Sequence, residues 1–176
     1  MRILKIFFYS ILSIVAILLV AALFISKSYK VEKEVLIQKP RTEVFAFLKM
    51  LKNQDKFSYW ATLDSTMQKT YTGTDGTVGF TSAWKGNSDV GSGEQTIAAI
   101  KEGEQIDYKL RFIEPWESSM DAQITTTDAA QGATKVQWSI SGKSNYPMNI
   151  MNPFMGKMVG SDLQYGLDKL KKLMEQ

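Results

Sequence analysis

Gln105-Ile106-Asp107-Tyr108-Lys109-Leu110-Arg111-Phe112-Ile113-Glu114 is the stretch on which the fold turns. Ile106, Tyr108, Leu110 and Phe112 alternate with Asp107, Lys109 and Arg111, the period of two that sends successive side chains to opposite faces of a sheet. One face of this strand is apolar and needs a cover; the other is charged and belongs in water. Outward from it, strands are expected at Met67–Thr72, Val78–Lys85, Gln95–Glu102, Met120–Asp128 and Thr134–Gly142. Their connections fall at Gly73-Thr74-Asp75-Gly76, Asn87–Gly93, Gly103-Glu104 and Ala129–Gly132. Strands spaced by about ten residues and joined by Gly and Asp turns read as an antiparallel meander. Their alternation places Val78, Phe80 and Trp84, then Met120, Ala122 and Ile124, then Val136, Trp138 and Ile140 on the inward face.

Upstream, Val31, Val35 and Ile37 mark an opening strand. Pro40 then leads into Arg41–Leu48, where Glu43 suits a helix start and Val44, Phe47, Leu48 and Leu51 share one face. A second short helix or turn is expected from Asp55 to Trp60. Downstream, Asn152 suits a cap and Pro153 a first turn. Met155, Val159, Leu163, Leu167, Leu170 and Met174 make one apolar stripe, with Lys169, Lys171 and Lys172 where the helix dipole favours cations. The class is α+β: a strand, two short helices, about six more strands and a long helix to cover the curved sheet.

The first 29 residues differ from the rest. Ile6–Ile25 is a run of 20 residues without a charge, long enough as a helix to span about 30 Å, the thickness of a hydrocarbon core. Arg2 and Lys5 precede it, Lys27, Lys30 and Lys33 follow, and Phe7, Phe8, Tyr9 and Tyr29 sit near its ends. The run exceeds the apolar core of a signal peptide, about 7–15 residues, and so favours a retained anchor; Ser26-Lys27-Ser28 leaves cleavage open as the alternative. The expected division is an anchor and short linker at 1–29 and one domain at 30–176. A short N-terminal tail ahead of a first apolar segment usually stays inside, which places the domain beyond the cytoplasmic face. The chain carries 21 Lys and Arg against 18 Asp and Glu, and its excess of three lies within the first 29 residues. The domain itself is neutral, so a nucleic-acid role, which rests on clustered cations, is not expected.

Several segments, in this order, resemble the helix-grip fold of the START-like SRPBCC superfamily, in particular its polyketide cyclase/dehydrase group. They are Lys39-Pro40-Arg41-Thr42-Glu43-Val44-Phe45, Phe57-Ser58-Tyr59-Trp60, Gly76-Thr77-Val78-Gly79-Phe80 with Trp84, Gly93-Glu94-Gln95-Thr96-Ile97, and Thr134-Lys135-Val136-Gln137-Trp138 before the closing helix. The resemblance covers about residues 30–175 and implies a curved sheet of about seven strands wrapped on a C-terminal helix. It also implies a cavity for apolar ligands such as lipids, sterols or polyketides. Some members of the superfamily are cyclases or dehydratases; many only bind or carry.

The chain has no histidine and no cysteine. That excludes Ser-His-Asp and Cys-His nucleophile systems and His- or Cys-based zinc sites. The acids are scattered, with no calcium-loop spacing, so neither a metal nor another cofactor is expected. The expected ligand-lining set is Phe80, Trp84, Tyr108, Leu110, Phe112, Met120, Trp138, Met151 and Met155, since ligand sites are mostly apolar. The same side chains also serve as ordinary core. Met148, Met151, Met155 and Met158 cluster before and within the last helix, where flexible thioethers suit varied apolar partners or fill gaps. Trp60 and Trp116 fall in connections, where they either cap the core or gate a cavity. For proton transfer only Asp107, Tyr108 and Glu114 can be nominated, and only Tyr108 has the inward register. The expected role is binding or transfer of a hydrophobic small molecule or lipid beside the membrane. A cyclase/dehydratase-like enzyme and a non-catalytic interaction module are the alternatives.

Overall fold

A computed structural model describes residues 2–176. Helix α1 (Arg2–Phe24) leads after three residues into strand β1 (Ser28–Ile37). Helix α2 (Arg41–Lys49) and 3-10 turns at Leu51–Lys56 and Trp60–Thr62 follow. The chain then runs through β2 (Gln68–Thr72), β3 (Thr81–Lys85), β4 (Ser92–Lys101), β5 (Gln105–Glu114), β6 (Ser118–Asp128) and β7 (Thr134–Lys143). A 3-10 turn at Met148–Met151 opens helix α3 (Asn152–Met174). The strands form one antiparallel sheet in the order β1-β7-β6-β5-β4-β3-β2. The meander expected from the sequence is therefore present, and the opening strand closes it by pairing with β7, from Ser28 opposite Lys143 to Ile37 opposite Thr134.

Helix α3 covers the inner face. Leu163, Leu167 and Leu170 are fully buried, as are Ile97, Ile106 and Val136 on the sheet. Burial of each such side chain contributes about 1.5–3 kcal/mol. Gly166 permits the close approach of helix to sheet: a Cβ there would lie 2.9 Å from the Trp138 ring. Helix α2 adds Val44, Phe45 and Leu48 to the same core.

Three local expectations are corrected. Val78 is not an inward strand residue but 60% exposed, because Gly76 and Gly79, with φ of 76° and 89°, turn the chain there and delay β3 to Thr81. Phe80 is still drawn inward, since its neighbour Gly79 donates to Ile97 O and Ile97 N donates back to Phe80 O. The second short helix begins earlier than Asp55, as a 3-10 turn from Leu51, where Asp75 accepts from the backbone N–H groups of Leu51 and Lys52 at 2.8 and 3.3 Å. Asn152 does not cap α3; it is the first helical residue. Its side chain accepts from Ser144 Oγ and donates to Ser26 O, spending its hydrogen bonds on the end of the N-terminal segment.

Candidate ligand cavity

The inner face of the sheet, α3 and the 3-10 turns between α2 and β2 enclose a cavity of about 210 Å³. Drug-sized pockets run from about 300 Å³ upward, so this space suits a small ligand or one end of a longer one. β3 contributes Trp84, β5 Leu110 and Phe112, β6 Met120 and Ala122, β7 Trp138 and Ile140, and α3 Val159. These are alternate positions along their strands, which is why all point inward. Trp60, Ala61 and Met67, from the segment before β2, complete the lining.

Aromatic packing fixes the walls. Trp84 meets Phe112 edge-on at 5.6 Å, and Trp138 receives Phe57 at 5.8 Å and Trp60 at 6.0 Å in the same manner, the geometry that ring quadrupoles favour. Gly93 lies opposite both Trp84 and Phe112. A Cβ at Gly93 would come within 2.6 Å of the indole and 2.5 Å of Arg111 O, so this glycine is what lets the Trp84 ring lie across β4.

Polar side chains are the minority of the wall: Gln54, Asp55, Ser58, Lys69, Ser82 and Gln95. Gln54 Nε2 and Trp138 Nε1 are buried and have no hydrogen-bond partner among the described residues. Both residues line the cavity. An unpaired buried donor costs about 1–3 kcal/mol, and a ligand acceptor would relieve it. The only charges among the described lining residues are Asp55 and Lys69, ion-paired with each other. Tyr71 donates to Asp55 Oδ2 at 2.9 Å; partial burial, helped by that bond, pushes its phenol up to about 12, so it stays protonated. At the cavity's edge, Asp64 accepts from Thr66 N, Thr66 Oγ1 and Asn87 N at 2.7–2.8 Å, tying the Gly86–Val90 loop to the turn before β2. Those hydrogen bonds hold its carboxyl below the usual range.

Of the nine residues anticipated from the sequence, Trp84, Leu110, Phe112, Met120 and Trp138 line the cavity together. Phe80 is buried elsewhere in the core, stacked on Tyr71 at 6.1 Å. Tyr108 is also buried away from the cavity; its hydroxyl has no partner among the described residues, and burial pushes its pKa up. Met155 packs half-buried against the core, and Met151 is 45% exposed at the start of α3. Trp60 is part of the cavity wall, whereas Trp116 stands in solvent. The other nominated acids are placed elsewhere: Asp107 bonds Gln105 and Gln123 on the outer face, and Glu114 accepts from Ser92 Oγ. Gln54, Asp55 and Lys69 were not singled out from the sequence, where isolated polar residues in short connecting elements give no periodic signal. No cluster of three metal-ligating side chains occurs among the described residues.

Residues 28–175, from the first residue of β1 to the residue after α3, match the profile of a family described as polyketide cyclase / dehydrase and lipid transport. The chain belongs to that family. Membership of the polyketide cyclase/dehydrase and lipid transport family supports hydrophobic ligand binding. No curated protein matches the chain. Solved structures do. A protein of Nitrosospira multiformis superposes with a TM-score of 0.58 at 18% identity, covering 82% of this chain and 95% of its own. A Chromobacterium violaceum protein gives 0.58 at 15%, covering 84% and 97%. Ara h 8.0201 gives 0.55 at 17%, also covering 84% and 97%. At these identities the likeness establishes the helix-grip fold that the polyketide cyclase/dehydrase family shares. Helix α1 lies outside the family match.

Proposed function

We propose that the protein is held in a membrane by α1 and binds a hydrophobic small molecule or lipid in the cavity, with the ligand's hydrogen-bond acceptor turned toward Gln54 and Trp138. The observation that carries this reading is an apolar, aromatic-walled space lined by Gln54 and Trp138, each of which carries a buried donor that nothing in the described protein satisfies. A wholly hydrocarbon ligand would leave both unpaired; one with a carbonyl, ester, carboxylate or hydroxyl would not. Family membership supports the apolar part of the ligand. The anchor reading rests on α1: 23 residues, long and apolar enough to cross a bilayer, with all but Ala22 of its described side chains outside the core. A short N-terminal tail ahead of a first apolar segment usually stays inside, which favours a domain on the extracytoplasmic side, while Lys27, Lys30, Lys33, Lys39 and Arg41 pull the other way.

The test uses the full chain in detergent micelles, stripped of lipid and then exposed to a total lipid extract, fatty acids and sterols. Native mass spectrometry should show a one-to-one adduct with an oxygen-bearing apolar molecule. Failure to take up any of these would overturn the reading.

A second reading follows the Asp55–Lys69 pair. A cyclase or dehydratase working in this space would draw its proton transfer from that pair, because no other charge reaches the wall among the described residues. Uptake that survives Asp55→Asn, with no chemical change in the bound molecule by either protein, leaves binding as the role.

A further inference from the structure

The strand registers show which loops share an end of the sheet with α1. β1 starts at Ser28, three residues after α1, opposite Lys143 at the end of β7. Gly142 on β7 faces Met120 near the start of β6, Ser118 faces Phe112 near the end of β5, and Glu114 faces Ser92 at the start of β4. Lys85, the end of β3, faces Ser92 as well. The Gly86–Gly91 loop, the Pro115–Glu117 loop, the 3-10 turn at Met148–Met151 and the start of α3 therefore all lie at the end from which α1 departs.

Large apolar side chains stand uncovered at that end, beside the polar Asn87, Ser88, Asp89 and Glu117 of the two loops. Trp116 is 81% exposed and Phe154 57%, and Met148, Met151 and Met158 are exposed beside Phe154. Elsewhere a solvated sheet protein would keep such side chains scattered singly. Their position relative to α1 is fixed by hydrogen bonds. Asn149, fully buried, donates to Ala22 O at 2.6 Å and to Ile25 O at 2.8 Å, closing carbonyls that the last turn of a helix leaves open. Asn152 donates to Ser26 O at 2.8 Å, and Ser144 N to Lys27 O at 2.8 Å. Tyr146 reaches Leu19 O at 3.3 Å, five residues before the end of α1, which is about 7.5 Å down the helix axis. The Tyr146–Met151 segment thus runs beside the last turns of α1. Lys27, Lys143 and Lys157 are exposed around it, where phosphates would sit.

Resting on the anchor reading of α1, we propose that this end of the domain is a second, direct contact with the same phospholipid bilayer. Met148, Met151, Phe154 and Met158 enter the acyl–headgroup boundary, and Trp116 sits at headgroup level. A bilayer fits better than a protein partner because the patch is continuous with the side of an apolar helix, is rimmed by lysines and carries an interfacial tryptophan. The cavity's Trp84, Phe112 and Met120 come from the same ends of their strands, so this wall of the space that would take a lipid belongs to the half of the domain that touches lipid.

The chain has no cysteine, so single-cysteine variants report one site each. Leu12→Cys, Phe154→Cys, Met158→Cys and Thr74→Cys, the last in the turn at the opposite end, would be labelled with an environment-sensitive fluorophore. The full-length protein would then be reconstituted in phosphatidylcholine–phosphatidylglycerol vesicles. The expected result is blue-shifted emission and strong quenching by lipid-borne spin labels at 12, 154 and 158, with the probe at 74 unquenched. A quenched probe at 12 beside probes at 154 and 158 no more quenched than at 74 overturns the contact while leaving the anchor intact. An unquenched probe at 12, with the protein free of the vesicles, overturns the anchor reading and the contact with it.

Discussion

Replacing Ala122 with leucine should make the ligand-free protein more stable and a worse binder. Ala122 lies on β6 between Tyr108 and Ile140 on the neighbouring strands, and its methyl borders the cavity. Leucine adds three carbons. In a filled core such an insertion costs about 1–3 kcal/mol through forced rotamers and backbone shifts. Into open apolar space it gains instead about 0.8 kcal/mol per carbon, or about 2 kcal/mol in all. The sign of the change therefore reports whether the 210 Å³ is there to be filled. For a chain of 176 residues a gain of 2 kcal/mol raises the melting temperature by about 4–8 °C. The assay is thermal unfolding of the lipid-stripped protein in micelles, paired with ligand uptake by mass spectrometry. A higher melting temperature with reduced uptake is expected. A melting temperature that drops by several degrees with unchanged uptake would refute the cavity, since the added carbons would then have met a packed core and the ligand would sit elsewhere.

Gly93→Ala should cost about 1–3 kcal/mol by overpacking, because its Cβ meets the Trp84 ring and the Arg111 carbonyl at once; chemical denaturation measures the loss, and tryptophan fluorescence should report a displaced Trp84. Gln54→Leu removes a buried unpaired donor, so stability should hold or rise by about 1 kcal/mol while affinity for an oxygen-bearing ligand falls about tenfold, equivalent to 1.4 kcal/mol, as a titration would show. Asp64 has a lowered carboxyl pKa in the folded protein, so its stabilising effect is complete above the unfolded value near about 3.9 and disappears as pH falls through the lower folded value. The melting temperature of Asp64→Asn should accordingly trail that of the parent at pH 6 and converge with it toward pH 3. Asn149→Ala opens two carbonyls at the end of α1, and trypsin should then cut after Lys27 faster than in the parent chain.

The alternation in Gln105–Glu114 was enough to define β5 to the residue, and the apolar stripe from Met155 to Met174 placed α3's buried face. Period-two and helical patterns survive in sequence because each repeat faces the same environment. Val78 misled because alternation continued across two glycines whose positive φ ended it. Asn152 misled for a different reason: a good capping side chain was claimed by a backbone carbonyl 126 residues away, and no local pattern carries such a contact. The cavity was half legible. Strand parity picks inward residues, and Trp84, Leu110, Phe112, Met120 and Trp138 followed from it. Parity does not say which inward residues touch α3 and which are left with space, so Phe80 and Tyr108 looked the same as Phe112. Gln54 and the Asp55–Lys69 pair come from a 3-10 turn and a short edge strand, whose facing depends on the path of the chain between α2 and β2.

The three residues between α1 and β1 allow a reach of at most about 10 Å, and Asn149 and Asn152 take up even that slack. If α1 holds it in a membrane, as proposed, a domain on so short a tether could not ferry cargo through water to a distant membrane. With α1 in the bilayer it would work as a fixed berth: the cavity would meet only molecules that diffuse laterally in its own leaflet, and anything leaving it would pass either back into that leaflet or to an acceptor that comes alongside. Its turnover would then scale with how densely the ligand populates the surrounding lipid, and with how many copies of the protein share that surface, rather than with any concentration in solution.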